Sequence, residues 1–179
     1  MKIVISGGPC SGKTSVVKKF EEKGYSALPE PARVLGEELR IRFSSEITGE
    51  RRFKINNLVF EKYLEQEAQI PKNKIIILDT GMPDNIPYYF LYCSGMKIPE
   101  KYLKACKNRY DKVFMLEPLN SYQTDGVRGK NEKEASTIYQ MKNKIYRELG
   151  YTIISVPVFS QNKEESIIKR VEFIEKQIQ

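Results

Sequence analysis

Four residues near the start of the chain are spaced for one kind of chemistry. Gly7, Gly12, Lys13 and Thr14 fit the pattern G-x-x-x-x-G-K-[ST] within the string "GGPCSGKT". Glycines let the backbone curl until successive N–H groups point inward, which makes a nest for anionic oxygens. A helix that begins at such a loop adds the positive end of its dipole. A lysine at position 13 reaches the β- and γ-phosphates of a nucleoside triphosphate, and the hydroxyl at 14 ligates Mg²⁺. The expected nucleotide contacts are Gly7, Gly8, Pro9, Cys10, Ser11, Gly12, Lys13, Thr14 and Ser15. The expected cofactors are ATP (or GTP) and Mg²⁺. Cys10 lies inside the loop, where a small residue is needed; a thiol activated by the nest is the alternative reading.

Several charged residues stand where they can complete such a site. Asp79 ends the apolar run "KIIILD". From a neighbouring strand it can hold a water on Mg²⁺, sharing the metal with Thr14, or accept a proton from an acceptor hydroxyl. An ordinary strand-end acid is the plain alternative. Glu30 ends the run "YSALPE", and Arg33 follows one helical turn later. Open α/β sheets bind ligands at the carboxyl ends of their strands. Glu30 can there orient or deprotonate an acceptor while Arg33 forks onto a phosphate; a surface ion pair is the alternative. Asp84 and Asn85 open the next helix, either as caps or as part of the substrate side. The stretch "SYQTDGVRGKNEKEA" (121–135) has the composition of a lid, about 119–134, with Arg128 over the transferring group. A charged surface loop is the alternative there. Catalytic candidates are thus Lys13, Asp79, Glu30 and Arg128, and substrate-side candidates are Glu30, Arg33 and Asp84. Arg40, Arg42, Arg51, Arg52 and Lys54 read mostly as a solvated helix face. Phe159 reads as core, with stacking on a nucleobase as the alternative.

These residues need elements to hold them. Short β-rich runs alternate with longer amphipathic segments. Strands are expected at 2–6, 25–30, 74–79, 112–116 and 152–157. Helices are expected at 13–23, 31–44, 54–70, 84–94, 99–108, 131–149 and 163–178. The helix at 31 opens on Pro31, which suits a first turn. The helix at 54–70 is expected to bury Ile55, Leu58, Val59 and Leu64. The last helix aligns Ile167, Val171, Ile174 and Ile178. Strands alternating with helices imply an α/β fold with a parallel sheet covered on both faces.

The bulk properties agree. The chain has 179 residues, enough for one domain with its own core. No apolar stretch approaches the roughly 20 residues of a membrane span. Three cysteines do not make a disulfide framework, and a cytoplasmic protein is the expectation. Histidine is absent, which excludes His-based zinc sites and Ser-His-Asp triads. The net charge of +7 suits anionic partners, whether phosphorylated small molecules, nucleic acid or an anionic lipid surface.

With these residues assembled, the chain resembles the small P-loop kinase-like family described as "AAA domain" ATPases. NadR-type ribosylnicotinamide kinases and the TRPL-translocation-defect protein belong to the same neighbourhood. The resemblance is carried by "SGGPCSGKT", "PEPAR", "ILDTGMPD", "YDKVFMLEP", "YQTDGVRGKNEKEA" and "YRELGY". It implies a three-layer P-loop NTPase fold, nucleotide-kinase-like, with a five-stranded parallel sheet in the order 2-3-1-4-5 and a lid. It assigns the phosphate loop to residues 7–14, the metal-side acid to Asp79 and the lid arginine to Arg128. It also suggests that Glu30 and Arg33 face the substrate. The chain departs from the family at Asp79-Thr80, where related kinases carry Asp-Arg. The missing arginine leaves its contacts to Arg33, Arg109 or Arg128. The chain is too short for the helical lid domain of ring-forming AAA+ proteins, and ring assembly is not expected.

Three functions fit these features. One is a Mg-dependent kinase acting on a nucleoside, nucleotide or related metabolite. Another is a nucleotide-binding switch with slow hydrolysis that meets a partner or anionic lipid. The last is a kinase acting on nucleic acid, which rests on charge alone. No N-K-x-D string for guanine is present.

Overall fold

The computed structural model describes residues 1–41, 46–71, 73–119 and 132–178. Its sheet consists of β1 (Lys2–Gly7), β2 (Ser26–Leu28), β3 (Ile76–Asp79), β4 (Lys112–Leu116) and β5 (Ile153–Val156). All neighbouring strands are parallel. Their order is β2-β3-β1-β4-β5, as the sequence led us to expect. The helices among the described residues are α1 (Lys13–Glu22), α2 (Pro31–Leu39), α3 (Gly49–Ala68), α4 (Ile86–Tyr92), α5 (Glu100–Ala105), α6 (Glu132–Glu148) and α7 (Lys163–Ile178). A 3₁₀ turn, Met82–Asn85, leads into α4. This is a three-layer α/β fold, a parallel sheet with helices on both faces.

The strands place the site by alternation. Side chains along a strand point to opposite faces. Ile3 and Ile5 of β1, Ile77 of β3 and Phe114 of β4 pack with Val16, Val17 and Phe20 of α1 and Val171 and Ile174 of α7. Val4, Leu78, Val113 and Met115 point the other way, into a cluster with α3, α4, α5 and α6. Asp79 follows the parity of Ile77 and so lies on the α1 side, where α1 begins. Thr80 is turned to the opposite side.

Some boundaries differ from expectation. α2 stops at Leu39 rather than 44, because Arg40 adopts a left-handed φ of 55° and caps it. α3 begins at Gly49 rather than 54, after an extended Thr48. The expected helix at 84–94 is divided into the 3₁₀ turn and α4. The buried face of α3 is also rotated from the expected stripe. Ile55 and Val59 are buried and Leu64 is half-buried, but Leu58 is 46 % exposed. The buried face includes the polar residues Arg52, Asn56 and Glu67, so counting apolar residues misplaced its centre. The α7 stripe of Ile167, Val171, Ile174 and Ile178 is buried. Phe159 is exposed at the rim, its ring 5.6 Å from that of Phe173, and does not belong to the core.

Candidate active site

Between β1 and α1 the backbone makes the curl that the glycines suggested. Gly7 has φ 152°, Cys10 φ 59° and Gly12 φ 88°. A Cβ on Gly7 would lie 2.6 Å from Ser11 Oγ and 2.9 Å from the Leu116 carbonyl, so glycine is required there. Gly7, Gly8, Pro9 and Ser11 are buried, while Cys10, Gly12, Thr14 and Ser15 are half-buried. Lys13 is buried, and its Nζ donates to the Gly8 carbonyl at 2.7 Å and to the Gly7 carbonyl at 3.4 Å. Its ammonium group is thus held at the mouth of the loop by the loop's own backbone.

Strand parity brings Asp79 to the start of α1. The Thr14 hydroxyl donates to Asp79 Oδ2 at 2.8 Å across 65 residues of sequence. A hydroxyl and a carboxylate oxygen side by side are the hard donors that Mg²⁺ takes, together with water and phosphate oxygens. The residues therefore fit the metal the motif implies.

Thr80 follows with φ 76°. A β-branched residue in the left-handed region is strained. Two contacts hold it there: its N–H donates to the Ile5 carbonyl at 3.2 Å, and its hydroxyl lies 2.7 Å from the Tyr63 hydroxyl. Burial, then the charges of Asp84, Glu30 and Asp79, keep the Tyr63 phenol well above its ordinary pKa. All three acids thus act on this tyrosine through their charge.

Asp84 is more deeply built in than a cap. Its Oδ1 accepts from Ser6 Oγ at 2.6 Å and pairs with Lys142 Nζ at 2.8 Å. Its Oδ2 accepts from Tyr146 Oη at 2.6 Å and from the Gly81 N–H at 2.9 Å. The capping expectation holds at Gly81, and the other three donors tie β1 and α6 to the same carboxylate. Lys142 Nζ also donates to the Gly7 carbonyl at 3.0 Å. Burial works against the Lys142 charge, but Asp84, Tyr88 and Glu30 outweigh it and raise its pKa. Four protein donors fill the buried Asp84 carboxylate, which is tied through Lys142 to the Gly7 carbonyl.

Glu30 is buried at the start of α2, while Arg33 is exposed one turn on. Arg109 donates its Nε–H to Glu67 at 2.9 Å. It precedes β4, whose other end adjoins Gly7, so it lies at the far edge of the sheet from the phosphate loop. Arg109 therefore does not replace the arginine that Thr80 displaces. Arg128 and Arg42 lie outside the described residues, as do Lys130 and most of the expected lid. Arg40, Arg51 and Lys54 are exposed, the last paired with Glu50 at 2.9 Å. Arg52 is not part of that solvated face. It is buried, donates to Asn56 Oδ1 at 3.1 Å, and sets its guanidinium 4.8 Å from the Tyr92 ring centroid and 5.4 Å from that of Tyr88. Tyr92 in turn hydrogen-bonds Glu134 at the start of α6.

Sequence reasoning missed Ser6, Lys142, Tyr146 and Arg170. Arg170 is fully buried on α7, and its three nitrogens reach the carbonyls of Ser11 (2.7 Å), Glu117 (2.8 Å) and Pro157 (3.0 Å). The one available signal was position: Arg170 and Lys142 each interrupt the apolar stripe of an amphipathic helix, where a charge must find a buried partner.

Comparison with known proteins agrees with the fold. A family model described as "AAA domain" matches residues 2–165. No curated protein sequence matches. Among solved structures, thymidylate kinase from Ehrlichia chaffeensis is 17% identical, with a TM-score of 0.66 over 100% of this chain and 98% of that one. Deoxyadenosine kinase from M. mycoides is 16% identical, with a TM-score of 0.64 over 99% and 98% of the two chains. NadR protein in complex with NR is 17% identical, with a TM-score of 0.68 over 98% of this chain and 50% of that one. At such identities these likenesses speak for the fold. None of the helices among the described residues is long and apolar enough to cross a membrane. The match of the family model across residues 2–165 places this chain in the "AAA domain" family of P-loop proteins.

Proposed function

We propose that the protein is a Mg-dependent phosphotransferase that moves the γ-phosphoryl group of ATP (or GTP) to a small molecule, a nucleoside, nucleotide or related metabolite. The observation that carries this reading is the Thr14–Asp79 contact of 2.8 Å beside a buried Lys13. Those three groups are what a triphosphate with its metal requires, and Asp79 meets the adjacent Lys13–Thr14 pair across 65 residues of sequence. The kinases of like fold named above support the acceptor class.

Thr14 and Asp79 would hold Mg²⁺, which when bound neutralises charge on the β- and γ-phosphate oxygens. Lys13 exchanges the Gly8 carbonyl for a phosphate oxygen and stabilises the charge that spreads over the migrating group. Loop N–H groups and the N-terminus of α1 add to that stabilisation. Glu30, buried at the start of α2, takes the proton from an acceptor hydroxyl; a phosphate acceptor needs no base. Arg33, exposed one turn later, fixes an anionic part of the acceptor. Asp84 positions the loop through Lys142 and Ser6.

The test is transfer from γ-labelled ATP and GTP to pooled nucleosides, nucleotides, cofactor precursors and oligonucleotides. Labelled small-molecule product is expected, lost in Lys13→Ala and strongly reduced in Glu30→Gln for hydroxyl acceptors. Tight nucleotide binding with slow hydrolysis that no acceptor alters would favour a switch instead. A labelled oligonucleotide alone would favour nucleic-acid phosphorylation.

A further inference from the structure

Two buried cations touch the carbonyls of the phosphate loop from outside, one from each face of the sheet. Lys142 on α6 holds Gly7 and is neutralised by Asp84. Arg170 on α7 holds Ser11, and no carboxylate among the described residues pairs with it. Its other two contacts are also neutral carbonyls, of Glu117 and Pro157. The Glu117 carboxylate exerts an attraction on it but accepts its hydrogen bond from Ser155 Oγ at 3.1 Å. A fully buried guanidinium that no carboxylate among the described residues contacts is costly, even when its N–H groups are satisfied.

The contact with Ser11 has a geometric consequence. In a trans peptide the carbonyl of one residue and the N–H of the next point in opposite directions. Fixing the Ser11 carbonyl toward Arg170 therefore turns the Gly12 N–H away from α7, to the loop's inner side. A cation on the carbonyl also polarises the peptide and strengthens that N–H as a donor. The contacts with Glu117 and Pro157 fasten the same guanidinium to the ends of β4 and β5, so the loop is registered against the sheet.

We propose that Arg170 is a positioning residue for the phosphates: it orients and polarises the Ser11–Gly12 peptide, and its missing countercharge is supplied by the bound polyphosphate on the other side of the loop. This rests on the reading of residues 7–14 as a phosphate site. The ligand class it favours is a polyanion, and the benefit grows with the number of phosphates.

Calorimetric titration of the full chain with Mg–ATP, Mg–ADP, AMP and inorganic triphosphate tests it, alongside thermal unfolding without ligand. Arg170→Met is expected to lose at least about 10-fold in affinity for Mg–ATP and triphosphate, with a smaller loss for AMP. Its ligand-free melting temperature is expected to hold or rise, since an uncompensated buried charge has been removed. Arg170→Lys, which keeps the charge, is expected to recover part of the affinity. An equal loss for all ligands, with a lower melting temperature and no recovery by lysine, would mean a merely structural residue and overturn the proposal. So would wild-type affinity in Arg170→Met. If the methionine variant does not fold, Arg170→Gln decides, because it keeps a polar N–H₂ donor while losing the charge and part of the reach: undiminished triphosphate affinity there refutes the proposal. Failure of the wild-type chain itself to take up any triphosphate would bring down the phosphate-loop reading and this one together.

Discussion

The two faces of the sheet are covered by different kinds of core. On the α1–α7 face the buried cluster consists of Ile, Val, Leu and Phe side chains. On the α3–α6 face it contains Tyr63, Tyr89, Tyr102, Tyr110 and Tyr146, with Cys93 and Cys106. Each tyrosine buries a ring and carries a hydroxyl that must find a partner. Those hydroxyls reach Thr80, Asn57, Glu61, Glu67 and Asp84. Glu67 alone accepts from Lys2, Arg109 and Tyr110. The first face holds the sheet together by area and packing. The second does so also through directional bonds, and two of these, from Tyr63 and Tyr146, end at Thr80 beside Asp79 and at Asp84. The lesson is that one face tolerates change of shape poorly, and the other tolerates change of polarity poorly.

Substitutions on each side sharpen this contrast. The largest effect is expected from Phe20→Ala, which empties a fully buried site on the apolar face. It should cost about 3–5 kcal/mol in denaturant unfolding, with unchanged nucleotide affinity in the folded fraction. Lys13→Ala should leave the unfolding midpoint nearly as it was and lower phosphoryl transfer by about 100- to 1,000-fold, read as initial rates. Tyr146→Phe keeps the ring and removes one donor from Asp84. A cost of about 1–3 kcal/mol is expected, together with weaker nucleotide binding. If it lowers stability and leaves binding intact, the two faces do not differ in their coupling to the site.

The smallest effect is a pH dependence confined to alkaline solution. Burial, reinforced by nearby acids, holds the Tyr63, Tyr110 and Tyr146 phenols well above their ordinary value of 10.0. Burial likewise pushes the Cys106 thiol up to about 12. In the unfolded chain the tyrosines lose their protons near pH 10 while the folded chain keeps them. Above that pH the native state binds more protons, so stability falls as pH rises; below it the contribution is fully present. Unfolding free energies measured at pH 8, 10 and 11 should show the decline, with a shallower slope in Tyr146→Phe.

Reading the sequence alone reached the apolar face and the phosphate loop more readily than the polar face. The apolar runs around Ile3–Ser6 and Ile76–Asp79 are buried on both sides and announce themselves. The loop pattern sits within eight consecutive residues, and the strand order came from family likeness. The polar network has no such local mark. Tyr146 lies 62 positions from Asp84, Lys142 lies 135 from Gly7, and Arg170 lies 159 from Ser11. On an amphipathic helix a charged residue is read as facing water, and Arg52, Lys142 and Arg170 all belie that reading. Thr80 looked like a plain substitution for arginine; its strained φ and its Tyr63 partner emerge only from the folded backbone.

The central place of β1 bears on how the molecule is made. This strand finds one neighbour at Ile76–Asp79 and the other at Lys112–Leu116. Until that first partner has emerged, β1 must wait with both of its edges unclaimed. Pairing across such separations closes long loops and is slow. The sheet therefore cannot begin at its centre until the segment Ile76–Asp79 is there to receive β1.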